Sequence, residues 1–196
     1  MEFDYSENTR RQFKMPKKKI IAIVGSLRKD SINLQLAEAM KKIVDETAEM
    51  EIVVPSDIPM FNQDHEFPAP EGVKVLREKI LAADGLWFFT PEYNHAIPAV
   101  MKNVIDWMSR PVTAKDPQVL NAKKAAYSGI GFGIDGTQGA QDDLVRVLSF
   151  LNVNMMHSPR LTIPNAFTQM EGSKLVLKES APYLKKQADA FLSFLD

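Results

Sequence analysis

Hydroxyl side chains and cations crowd into one turn, VGSLRKDSIN at residues 24–33, directly after the apolar run KKIIAIV. A helix beginning there offers unpaired backbone N–H groups and a partial positive charge. Ser26, Ser31 and Asn33 add polar side chains, and Arg28 adds a planar guanidinium that suits phosphate oxygens. The turn therefore predicts a phosphate site. The simpler alternative is that Ser31 only caps the helix and that the cations are solvated.

A second turn with unusual chemistry is TPEYNHAIP at residues 90–98. Its prolines stiffen the backbone, and Tyr93 offers a flat apolar face with a polar tip. With Pro91, Glu92 and Asn94, it could line a planar ring system. The alternative is a structural turn in which Asn94 bonds to its own backbone and Tyr93 covers a core edge. We interpret Glu92 as a hydrogen-bond acceptor rather than a catalytic base.

The third turn, GIGFGIDG at residues 129–136, contains a formal match to the dinucleotide-binding pattern. The pattern is incomplete, because no acidic residue follows at the end of a later strand to bind a ribose. We interpret Gly131 and Gly133 as positions where the backbone approaches a ligand closely. The first turn also lacks the spacing of an ATP-binding P-loop, which argues against phosphoryl transfer.

These turns are separated by alternating strand and helix patterns. Continuous β-branched or aromatic runs predict strands buried on both faces, and apolar residues at helical spacing predict helices. The predicted strands are 19–24, 51–54, 85–90, 124–130 and 153–156, and the predicted helices are 31–47, 71–83, 98–110, 138–151 and 181–195. This alternation predicts an α/β fold with a parallel sheet and helices on both faces. Ligands in such sheets bind beyond the carboxyl ends of the strands.

Composition narrows the function classes. The 196 residues are 45% hydrophobic and carry a formal net charge of -1, which favours one domain and no nucleic-acid partner. There is no cysteine, the 3 histidines lack metal-ligand spacing, and no apolar run reaches the ~18 residues of a membrane span. We expect a flexible leader at residues 1–16, one domain over 17–196, no metal site, no membrane partner and a cytoplasmic location.

The motifs GSLRKDSIN and TPEYNHAIPAVMKNVIDWMSRP, at this separation, resemble the NADPH-dependent FMN reductase family. The resemblance covers most of residues 19–167 and implies a flavodoxin-like sheet in the order 2-1-3-4-5, with FMN across the strand ends. It assigns the phosphate and the isoalloxazine ring to two sets of residues. The phosphate set is Ser26, Arg28, Ser31 and Asn33, and the ring set is Pro91, Glu92, Tyr93 and Asn94.

The third turn departs from the family pattern. Relatives often carry Ser-x-Gly and a later Gly-Gly-x-Arg there, whereas this chain has Gly131, Gly133, Gly136-Thr137 and Gly139 at those places. The hydroxyl and the arginine are therefore missing.

The resemblance implies ping-pong hydride transfer from NAD(P)H through FMN to a quinone, flavin, azo compound or similar small acceptor. The cofactor carries this chemistry, so no catalytic acid or base is assigned. The family also implies a homodimer or homotetramer. Trp107, Met108 and the Pro-rich connector give this only indirect support, because core packing explains them equally well.

Two other functions remain open at this point. A flavodoxin-type electron carrier would bind FMN similarly, although such carriers usually have an acidic docking face that a net charge of -1 does not favour. A flavin-binding redox sensor without turnover is the second; the missing side chains of the third turn keep it open, and a bound flavin that NADPH cannot reduce would favour it.

Overall fold

The computed structural model describes residues 16–113 and 117–196. The predicted leader lies outside the described residues except for Pro16. The described elements form one main sheet with helices on both faces, and its strand order 2-1-3-4-5, counted along the chain, confirms the order that the family resemblance implied. Its strands are β1 (Lys18–Val24), β2 (Ala48–Val53), β3 (Gly85–Phe89), β4 (Lys124–Ile130) and β5 (Asn154–Met155). All of their pairings are parallel.

The fifth strand differs from the prediction of 153–156. β5 pairs with the start of β4, and a separate strand, β6 (Leu161–Ile163), pairs with its end. Pro159 separates the two segments, and a proline has no N–H to give to a sheet. A small antiparallel hairpin, β7 (Met170–Glu171) with β8 (Lys174–Leu175), was not predicted, because two-residue strands are too short to show alternation.

Five α-helices of the described part of the chain connect and cover the strands, as the apolar spacing predicts. They are α1 (Ile32–Val44), α2 (Glu71–Ala82), α3 (Ala99–Met108), α4 (Gln138–Phe150) and α5 (Ala181–Leu195). α1 ends earlier than predicted because β2 already begins at Ala48. Among the described helices, none is long and apolar enough to cross a membrane.

The core consists of two apolar layers, one on each face of the sheet. Alternate residues of β1 point to opposite faces, so Ala22 packs in the layer of α1 and α5, whereas Ile23 packs in that of α2, α3 and α4. Trp107 and Met108 are fully buried in the second layer. Core packing therefore accounts for both residues, and neither supports a subunit interface.

The carboxyl ends of the central strands meet at one edge of the sheet. Val24 pairs with Phe89, and Phe89 pairs with Ser128, so β1, β3 and β4 end side by side. The loops stay in register beyond the strands, because Gly25 N donates to Phe89 O at 2.8 Å and Thr90 N donates to Ser128 O at 3.0 Å. The three turns singled out in the sequence therefore leave the sheet together.

Candidate functional site

The β1–α1 loop forms a polar cradle at the start of α1. Ser26 and Ser31 are 5% and 3% exposed, and the Ser31 hydroxyl caps the helix by accepting from Leu34 N at 3.2 Å. The first-turn amides of α1 have no carbonyl four residues earlier within the helix. Arg28 is exposed, and its guanidinium has no hydrogen-bond or ion-pair partner among the described residues. The loop thus combines helix capping with a cation free to close on an anion.

Asn33 has a structural role that the sequence prediction did not include. Its Nδ2 donates to Ile130 O and its Oδ1 accepts from Ile130 N, both at 3.0 Å, and the side chain is 1% exposed. The amide therefore ties α1 to the end of β4 instead of pointing its donor at a phosphate. The group that this position can still offer to an anion is its main-chain N–H.

The β3–α3 loop makes a tight two-residue turn. Tyr93 and Ala96 exchange backbone hydrogen bonds of 3.2 and 3.1 Å, and the central residues Asn94 and His95 have φ values of 52° and 58°. Asparagine tolerates this left-handed backbone better than most residues, so the turn itself explains Asn94. Tyr93 is 49% exposed, which leaves its ring available at the surface.

Glu92 joins this loop to the start of α4. Its Oε2 accepts from Ala140 N at 3.0 Å, and its side chain is 12% exposed. Thr137, the residue before α4, makes no side-chain cap, so Glu92 supplies an acceptor and a negative charge where a helix N-terminus needs them. Its Oε1 lies 3.3 Å from His95 Nδ1. The interpretation as a hydrogen-bond acceptor agrees with these contacts.

We expect Glu92→Ala to lower the free energy of unfolding by about 1 kcal/mol, the usual value of a lost helix cap. Glu92→Gln keeps an acceptor oxygen and loses only the charge, so about 0.3–1 kcal/mol is expected. Urea denaturation followed by circular dichroism measures both variants, with the exposed Glu46→Ala as the control. Losses no larger than that of the control would contradict the capping role.

Most glycines of the β4–α4 loop are explained by close contacts within the fold. A Cβ added at Gly131 would lie 2.2 Å from Gly136 O, and Gly136 itself has a φ of 62°. A Cβ at Gly139 would lie 2.9 Å from His95 O. The position that aligns with the arginine of the family pattern is therefore packed tightly against the β3–α3 loop. Only Gly133 of these has open space around it. A role for Gly131 and Gly133 in approaching a ligand stays a prediction.

A small cavity of about 120 Å³ brings the three loops together. All the predicted site residues line it except Asn94 and Gly133, which lie outside its wall. Phe132 also lines it and was missed, although an aromatic residue between two glycines after a strand is a usable signal. Phe132 is 43% exposed and contacts Phe167, with ring centroids 4.5 Å apart.

A larger cavity of about 610 Å³ adjoins the small one and was not predicted. Ser26, Arg28 and Tyr93 line both. The small cavity holds the polar cradle beside Pro91, Tyr93 and Phe132, and the large one is mostly apolar, so the pair suits a phosphorylated ring cofactor and a second small molecule. The described residues contain no group of three His, Asp or Glu side chains placed to hold a metal ion.

Comparison with known families identifies the cofactor class of the protein. Residues 18–168 match the family described as NADPH-dependent FMN reductase. The chain belongs to this family. The match confirms the resemblance inferred from the two motifs, and with it the prediction of an FMN- and NAD(P)H-dependent oxidoreductase. The polar cradle at α1 fits the phosphate that FMN carries.

Individual relatives correspond to nearly the whole chain. A 2-hydroxy-1,4-benzoquinone reductase of a Burkholderia species is 33% identical over 90% of this chain and 96% of its own length. An NAD(P)H-dependent FMN reductase of Pseudomonas aeruginosa is 36% identical over 86% of this chain and 90% of its own. The solved structure of FerB, a flavoenzyme NAD(P)H:(acceptor) oxidoreductase from Paracoccus denitrificans, has a TM-score of 0.81 at 32% identity and covers 91% of this chain and 97% of that one.

Proposed function

We propose that this protein is an FMN-dependent oxidoreductase that takes a hydride from NADH or NADPH and delivers it to a quinone, a flavin, an azo compound or a similar small acceptor. The observation that carries the proposal is the polar cradle at α1, which lies in the same small cavity as Pro91 and Tyr93 and as Arg28, whose guanidinium has no partner within residues 16–113 and 117–196. The family match and the names of the relatives support it.

Each part of the proposed site has a distinct task. The first-turn N–H groups of α1, with Ser26 and Ser31, would bind the phosphate, and Arg28 would close over it from the solvent side. Pro91 and Tyr93 would line the ring, and Glu92 would hold the loop against α4. FMN, when bound, supplies the redox chemistry by accepting and then donating a hydride. The residues of the chain would position first the nicotinamide ring and then the acceptor ring against the flavin, and they would exclude water. No proton-transfer residue is assigned.

An electron carrier and a sensor without turnover are the competing functions. A carrier would need an acidic face for its protein partner, and the net charge of -1 does not favour one. Steady-state oxidation of NADPH with 1,4-benzoquinone, without any protein partner, separates the three functions. We expect turnover that depends on added FMN, and its absence would favour a carrier or a sensor.

Tyr93→Ala tests the ring-lining role of the β3–α3 loop. Loss of an aromatic contact of about 0.5–1.5 kcal/mol should lower kcat/KM for benzoquinone about two- to twelvefold. Because Tyr93 is half exposed, the free energy of unfolding should change by less than about 0.5 kcal/mol. Tyr183→Ala removes another exposed tyrosine, on α5, and is the control. A loss of stability with unchanged kinetics would assign Tyr93 to the fold alone.

We also propose that the protein is a homodimer or homotetramer. Phe150 is 88% exposed beside a groove between α3 and α4 that Ile105 and Val147 also line. Lys102, Asp106 and Arg146 line the same groove, so the exposed Phe150 ring is surrounded by charged side chains, and an apolar centre with a polar rim is a common arrangement of subunit interfaces. Sedimentation equilibrium should give two or four times the chain mass of 22.0 kDa. A mass of one chain at micromolar concentration would contradict this proposal.

Two further proposals concern organisation and location. We propose that residues 17–196 form one domain, which is supported by α5 packing on the same sheet as α1. We propose a cytoplasmic location, which is supported by the absence of cysteine and by the need for NAD(P)H.

A further inference from the structure

An aromatic pair borders the small cavity on the side of the β4–α4 loop. Phe132 lines the cavity, and its ring packs against that of Phe167, with the centroids 4.5 Å apart and the planes inclined by 44°. Phe167 does not line the cavity, and it is 75% exposed. It comes from the segment after β6, outside the three turns that form the site. An exposed aromatic pair beside a polar cradle is typical of a binding surface.

The segment after β6 is fixed to the β4–α4 loop on both sides of Phe132. Gly131 O accepts from Ala166 N at 3.0 Å, and Gly133 O accepts from Asn165 N at 3.1 Å. These bonds extend the pairing of β6 with β4 into the loop. The backbones that carry the two aromatic rings therefore keep a fixed register, so the contact between the rings belongs to the fold.

The turn that carries Phe167 is closed by its own hydrogen bonds. It is a short 3₁₀ helix, Ala166–Gln169, and Asn165 before it has a φ of 50°. Asn165 O accepts from the N–H and the hydroxyl of Thr168 at 2.9 and 3.0 Å. Among the described residues, the aromatic contact of Phe167 is with Phe132. Removing the exposed Phe167 ring therefore leaves the bonds that anchor the turn in place.

The aromatic pair lies where the chain departs from the family pattern. Gly131 and Gly139 occupy the positions where relatives often carry a serine and an arginine, so these two positions have no side chain to donate a hydrogen bond. An aromatic ring stabilises a planar ligand by contact area and stacking, without such a donor. Phe132 offers this kind of contact at the cavity wall, and Tyr93 on the β3–α3 loop offers another.

We propose that Phe167 is a positioning residue, which holds the Phe132 ring as an aromatic wall for the isoalloxazine ring of FMN. The proposal rests on the proposed function, because it takes FMN as the occupant of the small cavity. Phe132, Tyr93 and the cradle residue Ser31 all line that cavity. The wall would supply apolar contact and exclude water on the β4 side of the flavin. Phe167 would act only through Phe132, by restricting the directions in which the Phe132 ring can point.

The test is the affinity of the flavin-free protein for FMN and for riboflavin, measured by titrating flavin fluorescence. Phe132→Ala should weaken the binding of both flavins about tenfold, and Phe167→Ala about threefold, which is the range of one lost aromatic contact. The double variant should bind no more weakly than Phe132→Ala, because Phe167 acts through Phe132. Tyr183→Ala removes an exposed ring on α5 and is the control, with unchanged affinity.

Two comparisons separate a wall for the ring from other roles. Riboflavin has the ring of FMN without its phosphate, so loss of the wall should weaken both flavins by the same factor, whereas Arg28→Ala should weaken FMN alone. Phe167→Tyr keeps an aromatic ring at the position and should retain the wild-type affinity. Because Phe167 is exposed, the urea midpoint of Phe167→Ala should equal that of the wild type.

Unchanged flavin affinity in Phe132→Ala would overturn the wall. Additive losses in the double variant, or a loss in Phe132→Ala alone, would overturn the positioning role of Phe167. A lower urea midpoint in Phe167→Ala with unchanged flavin affinity would assign the pair to the fold and would also overturn the proposal. Bound FMN that NADPH fails to reduce would contradict the proposed function, whereas the expected affinities for the two flavins would still support the wall.

Discussion

Replacing Arg28 by alanine is expected to weaken FMN binding by about 1.5–3 kcal/mol, which is roughly ten- to hundredfold in Kd. This is the scale of a hydrogen bond to a charged group. The Arg28 guanidinium has no partner among the described residues and lies at the wall of the cavity that holds Ser26 and Ser31. Its removal should therefore change the free energy of unfolding little. The effect should appear in the affinity for FMN, which is measured by titrating flavin fluorescence.

Lys29→Ala is the matched control for the arginine variant. Lys29 is the next residue, carries the same charge and is exposed, but it does not line either cavity of the site. A general electrostatic attraction would weaken FMN binding equally in both variants, and a specific contact would do so only in Arg28→Ala. If the two variants weaken FMN binding equally, or if neither weakens it, the assignment of Arg28 to the phosphate is contradicted.

Asn33→Ala is expected to lower the free energy of unfolding by about 2–4 kcal/mol. The substitution leaves the N–H and the carbonyl of Ile130 without their partners in a fully buried position, and each such group costs about 1–3 kcal/mol. Urea denaturation followed by circular dichroism measures the loss. Unchanged stability combined with weaker FMN binding would assign the amide to the phosphate instead.

Gln35→Ala is a control with the same chemistry and less burial. The Gln35 amide also bonds to main-chain groups on both sides, with Nε2 donating to Ser173 O at 3.0 Å and Oε1 accepting from Leu175 N at 2.8 Å. Gln35 is only half-buried, so water can replace its bonds and a loss of about 1 kcal/mol or less is expected. Equal losses in the two variants would contradict burial as the cause.

The elements were predictable because their signals are local. β1 and β3 are short apolar runs, α1 and α3 carry apolar residues at helical spacing, and the order of strands and helices then leaves few topologies. The divided fifth strand was not predictable from Val153–Met156 alone, because its continuation at Leu161–Ile163 depends on pairing with β4. The meeting of the three loops at one edge of the sheet was predictable, because the carboxyl ends of parallel strands lie at the same edge.

The partners of polar side chains were the part that the sequence did not reveal. Asn33 bonds to a residue 97 positions away, and Glu92 caps a helix 48 positions away. Asn103 holds a connector 44 positions earlier and so shapes a cavity wall. Spacing along the chain carries no information about such contacts, because they exist only once the layers have packed. Residue type identified Asn33 and Glu92 as important but not Asn103, and only the fold distinguishes side chains that support the site from those that can bind a ligand.

The most direct measurement is an anaerobic visible spectrum of the protein reconstituted with FMN, recorded before and after NADPH and then NADH. We expect FMN to stay with the protein through gel filtration and its band at about 450 nm to bleach with at least one donor. The faster donor identifies the preferred nucleotide. Flavin that binds but keeps its colour would contradict the reductase function and favour a carrier or sensor, and a protein that binds no flavin would contradict the cofactor site itself.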